Sequence, residues 1–229
     1  PTTRLYQAGT SEMFGRNYST NNNGVKYQDE NTQFLPQSPY GVSKLASHRM
    51  LQLYREAYGI FAANGILFNH ESPRRGSYFV TQKIVLWIKD FIKWCRSQNV
   101  TPVEVAFDEE NILVNNLSYP KLRLGNLYAY RDWGHAKDYI KAMWLMLQQD
   151  KPDDYVISSG TTHSIDEFAS IAFSKKGIKN YKDYIFIDSE FYRPAEVDYL
   201  CGNCDKAKKQ LGWQPLFSFD DLVVDMLNG

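Results

Sequence analysis

A largely apolar run, Ile60-Phe61-Ala62-Ala63-Asn64-Gly65-Ile66-Leu67-Phe68, interrupted only by Asn64 and Gly65, constrains the fold of this chain most. Bounded by glycine and asparagine, it reads as a strand buried on both faces, which arises where helices cover both sides of a parallel sheet. Twenty residues of helical pattern precede it. Ser38 can cap that helix, Pro39 suits its first position, and leucines, tyrosines and alanines recur at helical spacing through Tyr58. Before the helix, Arg4-Leu5-Tyr6-Gln7-Ala8 reads as another buried strand, running straight into Gly9-Thr10-Ser11-Glu12. Strand, helix, strand is the signature of an α/β fold with a parallel sheet. A buried strand needs partners on its edges, so the opening of the chain reads as the middle of a fold.

The remaining pattern fits the same class. Residues 15–37 form a polar, asparagine-rich loop, and Asn69 to Gly76 another. Val80 to Cys95 is a strongly apolar helix. Residues 97–120, with Asp108, Glu109 and Glu110, read as a surface excursion. Lys121 to Leu124, Asp154 to Ser159 and Tyr184 to Ile187 read as strands. Helices are expected from His135 to Gln149, after Ser164 as a cap, from Asp205 to Leu211 and from Phe219 to Leu227. No glycine-rich phosphate loop of the form G-x-G-x-x-G or G-x-x-G-x-x-G occurs.

Charge narrows the partners. Lys plus Arg and Asp plus Glu number 26 each, so no global field draws the chain to nucleic acid or an anionic membrane. No apolar run approaches the ~18 residues of a membrane helix, and the cytoplasm is the expected compartment. Three cysteines suit a reducing environment. Cys201-Gly202-Asn203-Cys204 is formally a C-x-x-C, but zinc needs four ligands and no second pair is present; two incidental cysteines are the favoured reading over a redox pair. No metal is expected.

Tyr40 and Lys44 stand four apart on one helical face, so a phenol and an ammonium are neighbours. A tyrosine hydroxyl titrates near ~10 and is a poor base until a fixed positive charge favours its ionised form. Taken alone, the pair is also what a half-buried ring beside a solvated lysine looks like. Thr10 and Glu12, two apart in extended chain, would point to one side at the end of a strand, where parallel sheets bind ligands; taken alone, caps of the next turn are their favoured reading. Arg74-Arg75 suit a phosphate, or a surface cluster with Glu71. Arg131 and Arg193 stand beside aromatics, as in many nucleotide sites.

In order along the chain stand Thr10-Ser11-Glu12, Tyr40 with Lys44, the run NHESPRRG at Asn69–Gly76, RDWGHAKD from Arg131, and Tyr192-Arg193-Pro194-Ala195-Glu196. Together they resemble the GDP-mannose 4,6-dehydratases, extended short-chain dehydrogenase/reductases, from about Arg4 to Met226. The resemblance implies the back half of a Rossmann-like parallel sheet plus a smaller sugar-nucleotide-binding α/β subdomain. It places the former at 1–70 and parts of 121–165, the latter at 71–120 and 166–229. It implies Tyr40, Lys44, Thr10 and Glu12 as catalytic residues and NADP as cofactor, held by Tyr40, Lys44, His70 and Arg75. Around GDP-mannose it implies Asn69, Lys83, Arg131, Arg193 and Glu196. It also implies a homo-oligomer, with a separate N-terminal half as a possible partner, since the family's glycine-rich first half is missing here. The loops at 15–37 and 97–120 are longer than the family's. Rival readings are a non-catalytic GDP-sugar-binding fragment and a GDP-sugar epimerase or reductase, which has no need of a carboxylate at Glu12.

Overall fold

The computed structural model describes residues 3–105, 119–192 and 197–229. In chain order its elements are β1 (Leu5–Ala8), β2 (Ser19–Thr20), β3 (Lys26–Tyr27), α1 (Pro39–Tyr58), β4 (Ala62–Leu67), β5 (Asn69–Glu71) and α2 (Val80–Gln98). After these come β6 (Leu122–Leu124), β7 (Tyr130–Arg131), β8 (Trp133–His135), α3 (Ala136–Met146), β9 (Asp154–Ile157) and β10 (His163–Ser164). The chain closes with α4 (Ile165–Lys175), β11 (Ile185–Ile187), α5 (Asp205–Leu211) and α6 (Phe219–Asn228). It divides into two compact units, one of Pro1–Glu71, Ala129–His163 and Ala195–Phe219, the other of Ser72–Tyr128, Ser164–Pro194 and Asp220–Gly229.

The first unit is built on a parallel sheet of order β1-β4-β9, with Gln7 opposite Asn64 and Gly65 opposite Tyr155. Alternation along β4 feeds two cores. Ala63 and Leu67 join Tyr139, Ala142, Met146, Leu211 and Trp213 on one face. Ile66 and Phe68 join Met13, Phe14, Val156 and Leu200 on the other. A strand buried on both faces is what the apolar run predicts. Residues 197–219 thus belong to this unit by packing, where the sequence reading sets them with 166–229, because Leu200, Leu211 and Trp213 fill its two cores.

One expectation about this sheet is corrected. β1 is not a buried strand: Leu5 is 45% exposed and Ala8 is exposed too. Among the described residues β1 pairs only with β4, so it forms an edge and one side of its backbone stays open. A second correction concerns Asn69–Glu71, which is not loop but a short strand, β5, parallel to β8.

Buried charge ties α1 to the sheet. Asp154 on β9 accepts from Arg55 at 3.0 Å, Gln52 at 2.5 Å and Asn64 at 2.8 Å, with His48 Nε2 at 3.6 Å. Burial pushes the Asp154 carboxyl up, but hydrogen bonds from Arg55, Asn64 and Gln52 outweigh it and hold the group below its usual range. A carboxyl depressed in the folded state stabilises above its unfolded pKa, about 4, and loses that stabilisation as pH falls through the folded value. Asp154→Asn should therefore cost about 2 kcal/mol at pH 7, where the variant lacks the charge-assisted bonds. As pH falls below that folded value, the variant and the parent should converge. Chemical denaturation across that pH range checks this; a gap that stays constant into acid rules it out.

The second unit pairs β6 with β11 in parallel, Leu122 opposite Ile185. Ile84, Val85, Ile88, Phe91 and Cys95 form the buried stripe of α2. Trp87 stacks on Phe91 at 4.8 Å, and Phe91 meets Tyr184 at 5.5 Å. Ser164 caps α4 as its sequence indicates, accepting from Glu167 N at 3.0 Å. The acidic patch at Asp108, Glu109 and Glu110 lies outside the described residues. Among the described residues, no helix is long and apolar enough to cross a membrane.

Candidate active site

The site grows from the C-terminal end of β1. After Ala8 the chain does not continue extended, as the same-side reading of Thr10 and Glu12 requires. It turns into a single 3-10 turn, Ser11–Met13, with Thr10 as its cap. The Thr10 hydroxyl accepts from the Glu12 backbone N–H at 3.3 Å, which stabilises the turn in place of the extended chain. Glu12 is half-buried and Thr10 only 9% exposed.

α1 starts beside this turn. Ser38 is extended and accepts from Gly41 N at 3.0 Å, with Pro39 next, so the helix is set by its own first residues. Gly41 decides how closely it docks. A Cβ there would meet the Glu12 carbonyl oxygen at 2.8 Å and Pro36 Cβ at 2.9 Å. Only the absence of a side chain lets α1 rest on the Glu12 turn.

That docking brings the catalytic candidates together in the first unit. Lys44 Nζ donates to the Ala8 carbonyl at 2.9 Å and lies 5.8 Å from the centroid of the Tyr40 ring. Tyr40 is 53% exposed, available to a ligand rather than packed away. His70, on β5, places Nδ1 2.9 Å from the Phe68 carbonyl, and since a carbonyl only accepts, that nitrogen donates. Its ring stacks on Tyr139 at 4.8 Å. Asn69 is its neighbour on the same strand. Arg131, on β7, donates to the Tyr130 carbonyl at 2.9 Å.

Two further candidates lie in the second unit. The Arg75 guanidinium covers the Phe79 ring at 3.5 Å. The Lys83 ammonium sits 3.7 Å from the Phe191 ring centroid; burial, then the neighbouring charge of Arg123, hold its pKa below the usual lysine range. Arg193 and Glu196 lie outside the described residues.

Asp132 is a residue to which sequence reasoning gave no role, although it stands inside the RDWGHAKD run. It is fully buried, and its carboxylate accepts from Ser159 N and Ser159 Oγ, both at 2.7 Å, Gly160 N at 3.0 Å and Gly202 N at 3.1 Å. Burial pushes its carboxyl up to about 6, against the pull of those hydrogen bonds. It fastens the loop after β9 and the chain at Gly202 to the strand segment that carries Arg131. An aspartate between an arginine and a tryptophan was the available signal. Cys201 and Cys204 are buried free thiols whose pKa values burial raises, the opposite of what a redox pair needs. Among the described residues no three His, Cys, Asp or Glu side chains converge to hold a metal.

Comparison with known proteins bears on the same residues. A family model described as GDP-mannose 4,6 dehydratase matches residues 1–100 and 105–226. GDP-mannose 4,6 dehydratase 2 of Arabidopsis thaliana is 47% identical over 227 residues, covering 99% of this chain and 52% of the plant protein. The human GDP-mannose 4,6 dehydratase is 42% identical over 241 residues, covering 98% of this chain and 57% of its own length. The chain thus spans about half the length of the curated relatives it matches. Among solved structures, RMD from Pseudomonas aeruginosa complexed with NADPH aligns at a TM-score of 0.76 with 18% identity, over 99% of this chain and 66% of that one. DesIV, a dTDP-glucose 4,6-dehydratase from Streptomyces venezuelae with NAD and TYD bound, also reaches 0.76, with 18% identity over 98% of this chain and 59% of that one. At such identity these two show the fold, a Rossmann-type α/β sheet.

Proposed function

Because the chain belongs to the GDP-mannose 4,6 dehydratase family, we propose that the polypeptide carrying it converts GDP-mannose to GDP-4-keto-6-deoxymannose with loss of water. The observation that supports this most is the Lys44 tether. An ammonium fixed on the Ala8 carbonyl stands beside the Tyr40 ring, on a helix docked against the turn that presents Thr10 and Glu12. A base, a cation, a hydroxyl donor and a carboxylate are the parts that an oxidation followed by elimination requires.

Tyr40 takes the proton from the hydroxyl on mannose carbon 4, and Lys44 places positive charge where negative charge develops on the phenol oxygen. Thr10 accepts from Glu12 N and so keeps its own O–H proton to donate to the reacting oxygen. A ketone at carbon 4 acidifies the proton on carbon 5, which Glu12 removes and passes to the hydroxyl on carbon 6, so that the C6–O bond breaks and water departs. When bound, a nicotinamide cofactor, NADP in this reading, supplies a reversible two-electron acceptor that ends the cycle unchanged. The residues present fit such a group: an ammonium carries three donors and Ala8 takes one of them, leaving others for ribose hydroxyls. On the same reading His70 and Arg75 serve the cofactor. Asn69, Lys83, Arg131, Arg193 and Glu196 serve the sugar nucleotide.

Incubating the purified polypeptide with GDP-mannose and NADP+ and following the sugar nucleotide by mass spectrometry tests the proposal. Loss of one water is the expected result. Tight binding of GDP-mannose with no water loss would favour a non-catalytic binding role, and epimerised or reduced sugar would favour the related activities.

A further inference from the structure

The polar stretch at 15–37 has a structure of its own. Its middle forms the β2–β3 hairpin, with Ser19 opposite Tyr27 and Thr20 opposite Lys26. Just beyond, Gln28 is fully buried and all its polar groups are used. Its N–H donates to the Cys201 carbonyl at 2.8 Å, and its carbonyl accepts from Asn203 N at 2.8 Å. Its side chain donates to the Asn17 carbonyl at 3.1 Å and accepts from Cys201 N at 3.2 Å. A buried residue whose backbone and side-chain groups all hold a partner fixes both limbs of the loop against the segment around Tyr199.

The consequence lies in what the loop carries. Tyr18 meets the Tyr199 ring edge-on at 5.9 Å, and Tyr199 meets Tyr130 at 6.4 Å. Lys26 places its ammonium 5.2 Å from the Tyr18 ring, and the Tyr199 hydroxyl donates to the Lys26 carbonyl at 3.3 Å. Burial and then Asp198 push the Tyr18 phenol above its usual range, while Arg16 and Arg131 pull the other way. Arg16 and Lys26 are exposed and Arg131 is half-buried. The row Tyr18–Tyr199–Tyr130 thus carries a cation at each end, Arg16 two residues before Tyr18 and Arg131 next to Tyr130, with Lys26 over the Tyr18 ring. The chain as a whole carries no net charge, so this local excess is not a by-product of a basic protein.

We propose that Arg16 of the loop, seconded by Lys26, completes with Arg131 a binding site for the diphosphate of the sugar nucleotide. Planar guanidinium forks match phosphate oxygens two at a time, and two of them on separate segments can grip adjacent phosphoryl groups. Lys26 adds a point charge, and the tyrosine hydroxyls add neutral donors. The assignment rests on the sugar-nucleotide reading above, which gives Arg131 to the same ligand, and it gives the loop at 15–37 a purpose. It also accounts for the effort spent on Gln28: a loop that must hold a guanidinium in register with another cannot be left loose.

Isothermal titration of the full polypeptide with GDP, guanosine and inorganic pyrophosphate tests it, using the parent protein, Arg16→Ala and Lys26→Ala. Arg16 and Lys26 are exposed, so both variants should melt as the parent does. Arg16→Ala should weaken GDP roughly tenfold and Lys26→Ala about threefold, with guanosine unchanged and a shallower salt dependence for GDP. Parental GDP affinity in Arg16→Ala overturns the inference while leaving the sugar-nucleotide reading intact. Should the parent bind no GDP at all, that reading fails, and pyrophosphate then decides for the site: binding weakened by Arg16→Ala sustains an anion site, and unaffected or absent binding overturns it.

Discussion

Replacing Tyr40 by phenylalanine should lower turnover of GDP-mannose by roughly a thousandfold, within the range that a positioned acid–base group contributes. The affinity for the sugar nucleotide should stay within about twofold, because the variant keeps the ring and deletes only the oxygen. The structure sharpens this expectation. Tyr40 is half exposed at the first turn of α1, and no core contact depends on its hydroxyl, so the loss should appear in turnover and not in the melting temperature. Steady-state kinetics beside a thermal melt separates the two. A variant that turns over at the parental rate would remove Tyr40 from the role of base, and one that melts far below the parent would make it a structural residue.

Asp132→Asn should be the most damaging polar substitution in the first unit, although it changes one atom. Above pH 7 the native carboxylate, with its pKa near 6, is ionised and both oxygens accept. An asparagine amide turned toward Gly160 N and Gly202 N would set donors against donors in a fully buried place. Each buried N–H left without an acceptor costs about 1–3 kcal/mol, so a loss of about 3 kcal/mol is expected. For a chain of this size that corresponds to a melting temperature lower by roughly 6–12 °C. Calorimetry at pH 7.5 measures it; a shift of less than about 2 °C would mean that the loops are held by other contacts.

Much of this was legible in the residues, and where it was not the reasons are local. The period of β4, the cap and proline of α1, and the cap of α4 act through neighbours in sequence, and pattern reads them. α5 begins and ends where its pattern places it, at Asp205 and Leu211. The exposure of β1 depends on which strands flank it, and nothing within Leu5–Ala8 carries that information. Thr10 and Glu12 left two readings open: spacing of two fits extended chain as well as a cap of the next turn, and the threonine hydroxyl, accepting from the Glu12 amide, closed the turn. Asp132 and Gln28 were passed over because their partners lie far away in sequence, at Ser159, Gly160 and Gly202 for one and at Cys201 and Asn203 for the other. Gly41 was in plain view within Ser38–Lys44, yet its role shows only once the Glu12 carbonyl is placed against it.

The tether of Lys44 has an evolutionary side. Its acceptor is the main-chain oxygen of residue 8, and no substitution at that position removes a carbonyl. Drift in the side chain there leaves the anchor intact, so the ammonium is protected from the commonest kind of genetic damage. What can break it is a slip of the strand itself, and the next residue guards against that. Gly9 donates to the Gly65 carbonyl at 2.8 Å, and a Cβ on Gly9 would fall 2.8 Å from the same oxygen. The vulnerable position in this part of the gene is therefore the codon for Gly9. A screen for inactive variants should find it beside Tyr40 and Glu12.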